Sequence, residues 1–174
     1  MKKDLLLWQF AGFTIAVALG SILHFLFDWT DAVFLAPISA VNESTWEHIK
    51  ILFFPTFFFA IVQYFFFRAQ YPAFWWIKLI GITISLLSIP VLFYTFNGAF
   101  GKSPDWLNIT FFFVSAFIGY FIEHLLFRKE FSLPYPQIAF IILLVFALLF
   151  FVFTFYPPRL PLFQDPITKL YGII

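Results

Sequence analysis

Five apolar runs, each long enough to cross a bilayer, leave this chain few folds to choose from. They cover about 5–27, 45–67, 74–96, 106–127 and 136–156. A hydrocarbon core of about 30 Å needs roughly 20 apolar residues in a helix. Inside lipid every backbone amide must be satisfied by the chain itself, so only helices and closed barrels span. Runs this continuous predict helices, and the expected fold class is an all-α integral membrane bundle of five transmembrane helices forming one domain over residues 1–174. Composition agrees, with 63% hydrophobic and 11% charged residues against roughly 45–50% and about 25% in soluble domains. A soluble fold of this size has no interior large enough to hide that surface.

The connections carry their own signals. Ala32 to Ile38 is apolar but too short to span, so this first loop is expected to lie in the interface or to re-enter the membrane under a cover of protein. Pro55 and Pro90 fall inside spans and predict kinks. The tail after Tyr156 is proline-rich, and its Leu, Phe and Ile residues predict that it packs back onto the bundle. Lys2-Lys3 with Ala16-Val17-Ala18 outlines a signal peptide, but the apolar run continues to Phe27, so an uncleaved first helix is expected. With the N-terminus in the cytoplasm, Lys2, Lys3, Arg68, Lys78, Arg128 and Lys129 fall inside, and Lys50, Lys102, Arg159 and Lys169 outside. The excess of cations inside predicts a cytoplasmic N-terminus and an external C-terminus in a cell membrane.

Against this apolar background the polar residues stand out. Asn42-Glu43-Ser44-Thr45-Trp46-Glu47-His48-Ile49-Lys50 gathers several of them where the second span begins. Ser44 and Glu47 fit a capping box. In the first span Gly12, Ala16 and Gly20 recur every four residues, a stripe where another helix can approach closely. The same spacing continues through His24 and Asp28. That stripe places His24 against protein, where a costly intramembrane polar group belongs, and lets Asp28 accept a hydrogen bond from its imidazole. The expected cluster at the outer ends of the first two helices is therefore His24, Asp28, Asn42, Glu43, Ser44, Glu47 and His48. Two imidazoles with carboxylates suit a divalent metal, with His24, His48, Glu47 and Asp28 as its ligands. Ser44 and His48, at i and i+4, also spell a nucleophile–base pair. The absence of cysteine excludes disulfides and thiolate sites.

Glu123 and His124 form a second polar cluster, with Gln63 or Lys78 within reach of it. The fourth span carries His124 about 27 Å from its outer end, at about 1.5 Å per residue. A single site built from all three histidines is therefore not expected.

Three segments carry a resemblance: His24-Phe25-Leu26-Phe27-Asp28-Trp29; Val41 to His48 with Phe53-Phe54-Pro55; and the tail with Pro157-Pro158, Pro161 to Pro166 and Tyr171-Gly172. Together they resemble a family of small integral membrane proteins of Firmicutes-type bacteria, catalogued as a domain of unknown function. The Asn-Glu-Ser-x-Trp-Glu-His string is its most specific part. The resemblance implies the bacterial cytoplasmic membrane and carries over no activity, cofactor or catalytic residue.

The expected partners are the lipid bilayer and a second membrane protein or copy of the chain. A net charge of +1 offers no basic field for nucleic acid. The functional reading from sequence is a structural, accessory or small-molecule-binding role for the polar cluster. The alternative is a metal-dependent hydrolase acting on a lipid or envelope substrate at the outer leaflet.

Overall fold

The computed structural model describes residues 2–129 and 131–173. Met1, Glu130 and Ile174, which belong to the expected 1–174 domain, lie outside the described residues, as do the side chains of Lys2 and Lys3. Five helices follow one another: α1 (Lys2–Thr30), α2 (Thr45–Phe67), α3 (Phe74–Phe100), α4 (Asp105–Arg128) and α5 (Pro136–Phe155). All five are long and apolar enough to cross a membrane. Short 3-10 turns at Val33–Leu35 and Pro161–Phe163 mark the first loop and the tail.

α2 begins where its cap requires. Ser44 has extended backbone angles and its hydroxyl accepts from the Glu47 amide, which supplies one of the acceptors a helix start lacks. α3 runs past the end expected near residue 96. The Asn97 side chain donates back to the Phe93 carbonyl at 2.7 Å, and the helix ends only at Gly101, whose φ of 85° suits glycine. Both α2 and α3 continue as helix through Pro55 and Pro90.

α2 is the centre of the bundle: 67% of its most apolar window is buried, against 22–33% for the other helices. α5 is the least buried of the five, and its near-uniform apolar sequence suits contact with lipid. Small residues set the closest approaches. A Cβ on Gly12 would meet Phe59 of α2 and Tyr120 of α4, and one on Gly20 would meet Phe112 of α4 and the Ile51 carbonyl of α2. Thus the small stripe of α1 faces the groove between α2 and α4. α3 and α4 close on each other through Gly81, Ser85, Ser115 and Gly119, with the Ser85 hydroxyl donating to the Ser115 carbonyl at 2.8 Å.

The first loop folds over the end of the bundle that also carries the tail. Its Ala40 amide donates to the Leu23 carbonyl of α1 at 3.1 Å. Ala36 and Val41 pack with Phe27, while Val33 and Phe34 stay exposed.

Candidate metal centre

The polar residues of the 42–50 string reach several parts of the fold. Asn42 donates its amide to the Gly172 carbonyl of the tail at 2.7 Å and accepts from the Ser44 amide at 2.9 Å. Thr45 bonds the Tyr94 hydroxyl of α3. Trp46 inserts among Phe150 and Phe153 of α5 and Phe163 of the tail, with ring centroids 4.6–5.6 Å away. Glu47 and Lys50 pair in full burial. Lys50 also donates to the Ala36 carbonyl of the first loop at 2.8 Å and to the Thr154 hydroxyl of α5 at 2.9 Å. Glu47 accepts from the Val41 amide at 3.0 Å. This segment is the point where α2, α3, α5, the first loop and the tail are tied together.

Glu43 and His48 are the two polar side chains of the string that turn toward α1. Nε2 of His48 lies 3.3 Å from Nε2 of His24, and Glu43 Oε2 lies 3.6 Å from the first histidine to be met in the chain and 3.7 Å from the second. A point equidistant from these three atoms is about 2.1 Å from each, the bond length of zinc to imidazole nitrogen or carboxylate oxygen. The His48 Nδ1–H donates to the Ser44 carbonyl at 2.9 Å. That bond fixes the tautomer and leaves the Nε2 lone pair directed at the centre, the outer-shell arrangement of metal-bound histidines. The His24 imidazole beside Glu43, helped by His48, holds its carboxyl below the ordinary carboxylate range in spite of partial burial. Glu43 is therefore anionic at neutral pH.

The tail holds Glu43 in place from behind. Asp165 is 4% exposed. Its Oδ2 accepts from the Glu43 amide at 3.2 Å, while its Oδ1 accepts from the amides of Ile167 at 2.6 Å and Thr168 at 3.0 Å.

His24, Glu43 and His48 line a cavity of about 1020 Å³ together with residues of α1, α2, α3, α4 and the tail. Its wall is apolar where Ile51, Ile89, Phe93 and Phe112 contribute, and polar where Lys102, Asp105 and Lys169 contribute.

A family of unknown function (DUF6512) matches this sequence over residues 2–173. The chain belongs to that family. No curated protein and no solved structure matches it.

Of the residues expected to hold a metal, the fold brings together His24 and His48 and adds Glu43 to them; these three are the group among the described residues that can hold an ion. Glu47 is not with them, because Lys50 and the Val41 amide draw its carboxylate under the first loop. The capping box is accordingly half made: Ser44 caps α2, but the Ser44 amide goes to Asn42. Asp28 is exposed and acts on His24 only through its charge, because the His24 ring turns its Nε2 toward α2. Ser44 and His48 do not form a nucleophile–base pair, since the imidazole bonds the Ser44 carbonyl and the hydroxyl faces Glu47. Glu123 and His124 separate. Glu123 is fully buried against Lys78, at 2.6 Å, and Lys78 reaches Gln63 at 3.2 Å. His124 lies outside this pairing and feels the charge of Arg128. Sequence reasoning did not single out Lys50, Thr154 or Asp165. Of these, Asp165 stood in an Asp-Pro step, a turn signal.

Proposed function

We propose that this chain is a divalent-metal-dependent hydrolase of the bacterial cytoplasmic membrane, with its N-terminus in the cytoplasm and its metal centre at the outer leaflet. The observation that carries the reading is the His24–Glu43–His48 triangle, whose centre lies at metal-bond length from all three atoms. Two histidines and a glutamate with an open fourth position are the ligand pattern of catalytic zinc. A metal held by His24, Glu43 and His48 would lower the pKa of a bound water toward about 7 and so would supply a nucleophile there. Hydrolysis there adds its oxygen to an ester centre, breaks the bond to the leaving oxygen and leaves a proton on that oxygen. The excess of lysine and arginine on the opposite flank supports the sidedness.

The test is elemental analysis of protein purified in detergent without chelators, beside His24→Ala, His48→Ala and Glu43→Gln. The expected result is near-stoichiometric zinc, manganese or iron in the wild type and loss in all three variants. A wild type that holds no metal and takes none up on titration overturns the proposal.

A second reading, an accessory protein whose polar cluster only joins helices, is favoured by the bonds that tie α2 to the loop and tail. It predicts that the three variants lower thermal stability and change nothing else.

A further inference from the structure

We infer that the group presented to this metal centre is the phosphate of an amphiphilic monoester, with its chain in the cavity and its anionic head between Lys102 and Lys169. The inference rests on the hydrolase reading and names its substrate class.

The first argument is the division of the cavity. Ile51, Ile89, Phe93 and Phe112 give it an apolar wall, and about 1020 Å³ is at the upper end of small-molecule sites. A sugar or peptide laid against those four side chains would lose hydrogen bonds that they cannot replace. An alkyl or isoprenoid chain loses none.

The second argument is charge. Lys102 stands in the turn between α3 and α4 and Lys169 in the tail, and both line the cavity with the triad. Neither forms an ion pair among the described residues; the Lys169 ammonium donates to the Pro166 carbonyl at 2.8 Å. The backbone of Lys169 is in the left-handed region, with φ of 65°, and its amide bonds the Asp165 carbonyl at 3.0 Å. The fold thus holds this lysine at the rim at some backbone cost. With a divalent ion in place, the cations of the cavity exceed Glu43 and Asp105 by about two charges. A phosphomonoester dianion balances that excess, whereas a neutral carboxylic ester or amide leaves it unmatched beside a low-dielectric wall.

The third argument is order. Glu43 precedes α2, Lys102 lies in the turn between α3 and α4 and Lys169 lies in the tail, whereas Ile51, Ile89, Phe93 and Phe112 belong to the helices, so an amphiphile with its head among the first group would lay its chain along the second. Hydrolysis joins the oxygen of water to phosphorus and breaks the phosphorus–oxygen bond to the chain. One water proton goes to the chain alcohol, and the other stays on the water oxygen as the hydroxyl of the released hydrogen phosphate.

The experiment uses the full chain in discs of zwitterionic lipid, loaded with the metal it retains. Calorimetry measures binding of dodecyl phosphate, dodecanol and inorganic phosphate, and phosphate release from dodecyl phosphate is followed in parallel. Dodecyl phosphate is expected to bind at least about tenfold more tightly than either other probe, and the Lys102→Gln/Lys169→Gln variant to lose about tenfold of that affinity with unchanged metal content. Equal binding of dodecanol, or wild-type binding by the double variant, overturns the head-group assignment. Equal binding of inorganic phosphate overturns the amphiphile and makes the ligand a soluble anion. Lysine-dependent binding by a chain that holds no metal overturns the hydrolase reading and leaves the head-group site standing.

Discussion

Asp165→Asn separates the tail's hold on Glu43 from its hold on itself. Oδ1 of Asp165 closes the turn to Ile167 and Thr168, and Oδ2 receives the Glu43 amide. An asparagine keeps one oxygen. If it stays on the turn, the new amide group faces the Glu43 N–H, donor against donor. Flipping the side chain would sacrifice two bonds to keep one, so the first arrangement is favoured. The change thus removes one bond to a charged acceptor, about 1.5–3 kcal/mol. Glu43 then loses the anchor behind its side chain, and outer-shell changes of this kind cost about 10–100-fold in metal affinity, which converts to about 1.4–2.7 kcal/mol. The two ranges agree. The assay is a zinc titration against a competing chelator, with limited proteolysis of 157–173 as the control for the tail. Weaker zinc with a protected tail is expected for Asp165→Asn; Asp165→Ala, which loses all three bonds, should both weaken zinc and free the tail. Zinc affinity within about twofold of wild type in Asp165→Asn would refute the idea that the tail positions Glu43.

Two further changes probe the frame. Gly119→Ala sets a Cβ 2.6 Å from Ser85 Cβ and 2.8 Å from the Gly81 carbonyl, and backbone cannot give way, so about 1–3 kcal/mol of stability should be lost on thermal unfolding in detergent. Trp46→Ala empties the aromatic box formed with Phe150, Phe153 and Phe163, and should cost about 3–5 kcal/mol and expose the tail to protease.

The five helices were legible because continuous apolar runs of this length favour helix, and the start of α2 because its cap is a local device. The end of α3 was not, since Asn97 bonds back to the Phe93 carbonyl and carries the helix beyond the apolar run that closes near residue 96. His24 and His48 could be placed together from the small stripe and from topology. The choice of carboxylate could not. Glu43 and Glu47 look equivalent at a spacing of four, yet Glu43 lies in a bend before the cap, where helix periodicity has no authority. Its direction is set by Asp165, 122 residues away in sequence. Glu47 is diverted by Lys50, three residues on, which local spacing allows but does not require.

The two ends of the bundle use buried charge in different ways, and the difference can be measured. Lys78 and Glu123 are fully buried, 2.6 Å apart, with Gln63 on the same ammonium and the Tyr120 ring 5.1 Å from it. Such a pair is closed: each charge already has its partner, so the arrangement fixes α3 against α4 and α2 and offers no open position to a ligand. Removing one partner leaves an uncompensated buried charge, so Lys78→Met should cost about 3–5 kcal/mol. Adding Glu123→Leu should recover most of that, because an apolar pair of similar volume replaces an ion pair at little net cost. Recovery falls short by the bond Gln63 loses, about 1 kcal/mol. The proposed metal centre should not notice either variant. Along α2, His48 and Gln63 are about 22 Å apart at about 1.5 Å per residue. The measurement is a double-mutant cycle in thermal stability with metal content read on each sample. A double variant as unstable as Lys78→Met alone would mean that the pair contributes more than packing, and metal lost from the stable double variant would mean that the two ends are coupled.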